Sequence, residues 1–190
     1  KIRKNYFHKD IQSIKVGIID YGMGNQQSLI NAFNEIGIST LLTSSLTELS
    51  KTDLIALPGV GSFPNGIKKL KELGLLEFLK KEVNNGHPLI GICLGMQMLF
   101  ESGNEFQFTE GLSLIEGKVE KLRLKNIQGE INVLPHVGWN KIFKNECNHS
   151  EKFSINQYFV HSFAAVNVPD KFVTYECNYS GNKFIAAVNK

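Results

Sequence analysis

Cysteine is scarce in this 190-residue chain: there are three, at positions 93, 147 and 177, an odd number with no Cys-x-x-Cys pair. That spacing argues against a disulfide framework and against a cysteine zinc site, and it points to a reducing, cytoplasmic setting. No clustered His, Cys or Asp spacing suggests a metal, so neither a metal nor another cofactor is expected. No apolar run reaches the ~18 residues of a membrane helix, and the N-terminus has no signal-peptide hydrophobic region, so a soluble protein without a membrane partner is expected. An excess of one charge is missing too. The 21 Lys and Arg and 18 Asp and Glu are scattered, and the net +3 leaves no electrostatic footprint for nucleic acid. Repeats, low-complexity tracts and proline-rich linkers are also absent, so the chain, 42% hydrophobic, should form one domain around a shared core.

Residues 1–14 are polar and basic. They are expected to be an N-terminal extension, native or added for expression, ahead of a domain over 15–190. The first core strand should be Val16–Asp20, followed by a Gly-rich turn (Tyr21–Asn25) and a helix with Leu29, Ile30, Phe33 and Ile36 on one face, stopped by Gly37. Strands near Ile38–Leu42, Leu54–Leu57 and Leu89–Ile92 then alternate with helices near Gly66–Leu73 and Leu75–Val83. That order predicts an α/β fold with a mostly parallel central sheet and helices on both faces. After about Gly111 short runs predict a β-rich antiparallel C-terminal half: Lys118–Leu124, Gln157–Val160, Phe172–Tyr175 and Phe184–Val188. Asn145–Glu151 is polar enough for a loop.

The chemistry should begin where Leu89, Ile90 and Ile92, β-prone and apolar, give way to Met96, Leu99 and Phe100 at helical spacing. Cys93 falls on the turn between, flanked by Gly91 and Gly95, which have no Cβ to block it. A thiol at a helix start is expected to lean toward thiolate, by up to ~2 kcal/mol. In an open α/β sheet the strand-end loops meet at one edge, where ligands bind. Three loops should converge there: Tyr21–Asn25, Pro58–Phe63 and the Cys93 turn. Gly59 and Gly61 leave backbone N–H groups free to serve as an oxyanion hole, although a PGVG loop taken alone is equally a plain turn.

Five segments, IIDYGMGN, LPGVGSF, GICLGMQMLFE, PHVGWN and QYFVHSF, occur in an order that resembles the class I, triad-type glutamine amidotransferases. Within them the chain is most similar to the glutaminase subunits of imidazole glycerol phosphate synthase, from about Val16 to Val188. The resemblance implies that Cys93 attacks the side-chain amide of glutamine and releases ammonia through a γ-glutamyl thioester. It implies an oxyanion hole from Leu94 and Gly59-Val60-Gly61. Substrate contacts would come from Gly61, Gln97, Glu105, His161, Ser162 and Phe163. It further implies a heterodimer with a (β/α)8-barrel cyclase subunit fed with ammonia by channel, with His136 and Trp139 near the interface.

The resemblance breaks at the base. The family carries a Phe-His-Pro-Glu segment beyond the strand that here ends Ile185–Lys190, and none of His8, His87, His136, His149 or His161 sits in such a segment. The 190 residues are therefore expected to show little glutaminase activity, with a His-Pro-Glu segment following in the native protein. Plainer readings stand beside these. Cys147 and Cys177 fit structural roles, His161 fits a core histidine as well as a ligand, and His136 and Trp139 fit packing. Lys68, Lys69, Lys71, Lys80 and Lys81 fit a solvated helix face. The functional alternatives are a paralogous ammonia-supplying subunit of a surface-sugar amidotransferase and a catalytically dead interaction subunit.

Overall fold

The computed structural model describes residues 13–123, 129, 133–144 and 154–190. The expectations for residues 1–12, Leu124, Cys147, His149 and the 145–151 loop lie outside them. Sheet formation starts with β1 (Lys15–Ile19), β2 (Ser39–Thr43), β3 (Leu54–Gly59) and β4 (Leu89–Cys93), all parallel and ordered β2-β1-β3-β4. Alternation along the strands sorts their side chains to two faces. Val16, Ile18 and Ala56 pack under Leu29, Ile30 and Phe33 of α1 (Gln26–Glu35). On the other face Ile19, Ile55 and Leu57 pack with α3 (Phe63–Glu72) and α4 (Leu75–Asn84), through Ile67, Leu70, Leu75 and Leu79. Helices thus cover both faces, as the repeating pattern requires.

Helix ends follow local chemistry. The Asn25 side chain caps α1 by accepting from the Ser28 N–H, and such a cap contributes ~1 kcal/mol. At the other end the N–H groups of Gly37 and Ile38 reach back to Asn34 and Phe33. These are the two bonds of a Schellman stop, with Gly37 at φ 76. A single turn, α2 (Leu46–Leu49), lies outside the expected elements and buries Leu49 in the core.

The second half holds two more sheets. β5 (Phe100–Gly103), β6 (Thr109–Glu110), β7 (Ile115–Lys121) and β10 (Phe163–Val166) are ordered β10-β7-β5-β6. β8 (His136–Lys144), β9 (Ser154–His161), β11 (Val173–Tyr179) and β12 (Asn182–Val188) are ordered β12-β11-β8-β9 and are antiparallel throughout. The first of the two is mixed, because β5 and β7 run parallel, so the C-terminal half is not purely antiparallel. The main core runs continuously from sheet β2-β1-β3-β4 through α3 and α4 to Phe100, Ile115, Val119 and Ala165. Phe172, placed in a strand by its sequence, lies instead in a 3-10 turn ahead of β11.

One helix departs from its pattern. The expected helix through Met96, Leu99 and Phe100 is a single turn, α5 (Leu94–Gln97), after which Phe100 opens β5. Leu99 and Phe100 are buried in the core and Met96 packs partly buried against it, so burial supplied the periodicity rather than a continuing helix.

Candidate active site

Cys93 ends β4, paired in register with Gly59 at the end of β3, and caps α5. Its backbone lies at φ 57, ψ −118, far from the basins open to a residue with a Cβ. Such a conformation costs of order 1–3 kcal/mol and persists only where surrounding structure enforces it. Here the enforcement is close packing of the flanking glycines. A Cβ on Gly91 would come within 2.7 Å of Gly95 and Met96, and one on Gly95 would overlap the Leu57 carbonyl. The Gly-x-Cys-x-Gly spacing therefore lets the turn press against β3 while Cys93 stays exposed.

The expected tilt toward thiolate is not present. Burial among neighbouring atoms is the larger influence and pushes the Cys93 thiol up, and the Leu94 N–H, hydrogen-bonded to the sulfur, offsets only part of it. A helix of one turn supplies little dipole, which is the physical reason for the correction. Burial raises the phenol of Tyr21, which is 2% exposed, and the charge of a nearby Cys93 thiolate would raise it further.

Around Cys93 opens a cleft of about 1510 Å³ lined by Cys93, Gln97, His161, Phe163 and strands β4, β9 and β12. It exceeds the ~300–1,000 Å³ of most small-ligand sites, because β4 is an edge strand whose Ile90 and Ile92 remain exposed. Gln97 is tied to the far wall, its Nε2 donating to the Phe163 carbonyl at 2.9 Å. Glu105, expected near a substrate ammonium, accepts from the Phe63 N–H at 2.7 Å, which places its carboxylate at the start of α3 beside the Gly59–Gly61 loop. Ser162 joins β9 to β10, and its carbonyl accepts from the Leu122 N–H.

His161 is bound into a chain that fixes every proton. Its Nδ1–H donates to the Phe163 carbonyl, leaving Nε2 to accept from Nδ1–H of His136, whose Nε2 in turn accepts from Asn140. A carbonyl can only accept, so this is the direction the bonds take when both rings are neutral, the form that their burial favours. His136 is 1% exposed and stacked between Tyr179 and Phe159. It is packed inside the fold rather than at its surface. The neighbouring positions of β8 do face out: Val137 and Trp139 pair with Val160 and Tyr158 in a patch whose Trp139 is 71% exposed.

Burial lowers the pKa of both histidines, with the His161 neighbour adding to the effect at His136 and the Phe163 bond opposing it at His161. The folded state thus binds fewer protons than the unfolded chain below the ordinary value near 6.5, and stability falls as pH drops through that value. The expected slope is at most about 1.4 kcal/mol per pH unit and histidine. Urea midpoints at pH 7 and pH 5.5 measure it, and equal midpoints contradict the neutral pair.

Among the described residues no histidine hydrogen-bonds to Cys93: His87 pairs with Glu82, and the other two form the chain above. No group of three or more His, Cys, Asp or Glu there is placed to hold a metal ion, and no helix is long and apolar enough to cross a membrane. Cys177 is buried, and burial pushes its thiol up to about 11, as suits a structural residue. Lys68, Lys69, Lys71 and Lys81 are exposed and Lys80 is half-buried, and Lys68, Lys69 and Lys80 pair with Glu72 or Glu77.

A cysteine on a strained strand-to-helix turn, beside a glycine loop at the carboxyl edge of a parallel sheet, defines a nucleophile elbow. Residues 17–190 match the family "Glutamine amidotransferase class-I", and the chain belongs to it. Within that family it groups with proteins called imidazole glycerol phosphate synthase subunit HisH. That of Campylobacter jejuni is 41% identical over 184 residues, covering 92% of this chain and 86% of the relative. That of Halalkalibacterium halodurans is 40% identical over 167 residues, covering 86% and 78%. That of Vibrio vulnificus is 45% identical over 164 residues, covering 84% and 74%. A solved glutamine amidotransferase shares the fold at TM-score 0.65 with 17% identity, covering 88% of this chain and 86% of its own. The structure of PurLQS from Thermotoga maritima does so at 0.60 with 18% identity, covering 89% and 76%.

Proposed function

We propose that the chain is the glutaminase subunit of an imidazole glycerol phosphate synthase, acting through Cys93. The observation that carries this is the enforced backbone of Cys93 in register with Gly59, which puts a thiol next to a backbone loop able to hold an oxyanion. The sulfur attacks the side-chain carbonyl carbon of glutamine, and the Leu94 and Gly59-Val60-Gly61 N–H groups hold the oxygen. Collapse expels ammonia once its nitrogen has gained a proton, leaving a γ-glutamyl thioester that water opens to glutamate and free thiol. Gln97, Glu105 and the His161-Ser162-Phe163 segment hold the α-amino acid end.

Ammonia released into water is protonated and lost, so passing it to a (β/α)8-barrel cyclase subunit through a sealed heterodimer has a chemical purpose. The exposed Val137, Trp139, Tyr158 and Val160 patch suits that interface, being aromatic and apolar. A reaction carried by a free thiol suits the cytoplasm.

The proton for the leaving nitrogen needs an acid–base group, which the resemblance assigns to a Phe-His-Pro-Glu segment. General acid–base help is worth about 10²–10⁴-fold. Glutamate release, measured with the cyclase subunit and its ligand bound, is expected to be lower by that factor for the 190 residues than for a chain extended by the segment. No release from the extended chain overturns the proposal.

A further inference from the structure

We propose that Tyr21 is a positioning residue for the oxyanion loop, its hydroxyl holding the Pro58 carbonyl so that the Gly59-Val60-Gly61 backbone is fixed against the Cys93 elbow. The inference rests on the reading of that loop as the oxyanion hole, and it adds a residue which neither the resemblance nor the nucleophile turn singles out.

The need for such a contact arises from the topology. β1 and β3 are laddered only from Val16–Leu54 to Ile18–Ala56, and beyond that pair the strands part at the point where the strand order reverses. Pro58 lies past the last rung. Its carbonyl accepts from the Tyr21 hydroxyl at 2.7 Å, both groups being buried, so a side chain replaces the missing rung. The loop is then gripped from two sides. A Cβ on Gly59 would meet the Gly95 nitrogen and Leu94 Cβ at 2.8 Å and the Tyr21 hydroxyl at 2.9 Å, so elbow, loop and phenol meet around one atom. Next along the same turn, a Cβ on Gly24 would lie 3.2 Å from two Pro58 ring carbons, and Met23 Cε packs 3.1 Å from the corresponding point of Gly61.

Preorganised backbone donors help a reaction only if they do not have to be gathered at the moment charge develops. Val60, between the two glycines, is 51% exposed, so its side chain lends the peptide little packing. The Tyr21–Pro58 hydrogen bond anchors the loop on the β1 side. Without it a buried carbonyl loses its partner and the loop its hold. A tyrosine present only to fill space would leave the loop unchanged when its hydroxyl is removed.

The test uses a glutamine analogue with an aldehyde in place of the carboxamide. The Cys93 sulfur adds to the aldehyde carbon, the carbonyl π pair moves to oxygen and the thiol proton ends there, so the hemithioacetal oxygen sits where the oxyanion would. Binding is read as the aldehyde concentration that half-protects Cys93 from iodoacetamide, an alkylation that needs no oxyanion hole. For Tyr21→Phe, folded by circular dichroism, half-protection is expected to need about tenfold more aldehyde, in keeping with one lost hydrogen bond. The alkylation rate without aldehyde should stay within about twofold, since the thiol itself is not the target. Gly24→Ala, which presses on Pro58 without touching the phenol, should shift protection in the same direction. Unchanged protection in Tyr21→Phe overturns the proposal whatever Gly24→Ala does, as does a fall in alkylation rate that matches the loss of protection, because Tyr21 would then act on the thiol. If the unaltered chain is not protected at any concentration, the glutaminase reading fails first and takes the proposal with it.

Discussion

Cys93→Ala is expected to lower glutamine hydrolysis by about 10⁴-fold or more in the complex, to the level of solvent attack. The size follows from the chemistry. Without the sulfur no thioester forms, and the oxyanion loop and substrate contacts have no nucleophile to serve. Stability should move little in this variant, because alanine keeps the same unfavourable backbone angles. Cys93→Gly separates the two roles of the position: it loses the same activity yet gains about 1 kcal/mol, since glycine occupies φ 57 without strain. Glutamate release together with thermal unfolding of both variants checks this. Residual turnover within tenfold of the unaltered protein in either variant rules out Cys93 as the nucleophile, and a Gly variant less stable than the Ala variant rules out strain.

Gly95→Ala is expected to cost more stability than alanine at Gly59, Gly66 or Gly91, above about 4 kcal/mol and enough to leave little folded protein. The added carbon would overlap the Leu57 carbonyl, a backbone atom in the middle of the central sheet that no rotamer change can move aside. Gly86→Ala is the control. That glycine has φ 86 but open space around it, so alanine there pays only for the backbone conformation, roughly 1 kcal/mol. Denaturant midpoints of the two variants measure the contrast. Similar losses would mean that backbone angle, rather than the approach of the elbow to β3, sets the need for glycine.

These expectations concern a turn whose position was legible in the sequence and whose mechanics were not. The β4 run, the cysteine and its two glycines are contiguous, so local pattern placed them correctly. The length of α5 was not legible, because Met98, Leu99 and Phe100 are apolar for contacts made to α3 and to the mixed sheet, and a buried strand entrance looks like a helical face when read alone. The same holds for the thiol. Its surroundings come from segments distant in sequence, Tyr21 among them, and burial by those segments outweighs what one helical turn supplies.

β8 shows the opposite failure. Its inward positions are His136, Gly138 and Asn140 and its outward ones Val137 and Trp139, the reverse of a half-buried strand, so alternation gave no signal. The polar residues are tolerated inside because each finds a partner, His136 most completely, with a hydrogen bond at each nitrogen and aromatic rings on its faces. The outward apolar pairs are left for another surface. Sequence reasoning named His136 and Trp139 together because they are three residues apart in one motif, and strand geometry puts them on opposite faces.

By itself the sequence determined the alternation of strands and helices, the central parallel sheet, and the cysteine turn with the glycine loop beside it, since each depends on residues close along the chain. Only the tertiary structure decided that Cys93 is strained and its thiol raised, that His136 is buried in a neutral chain with His161, and that Tyr21 bridges the parted strands β1 and β3. Those properties belong to contacts between segments tens of residues apart. Distances and burial of that kind are set by packing and leave no periodic trace in any one segment.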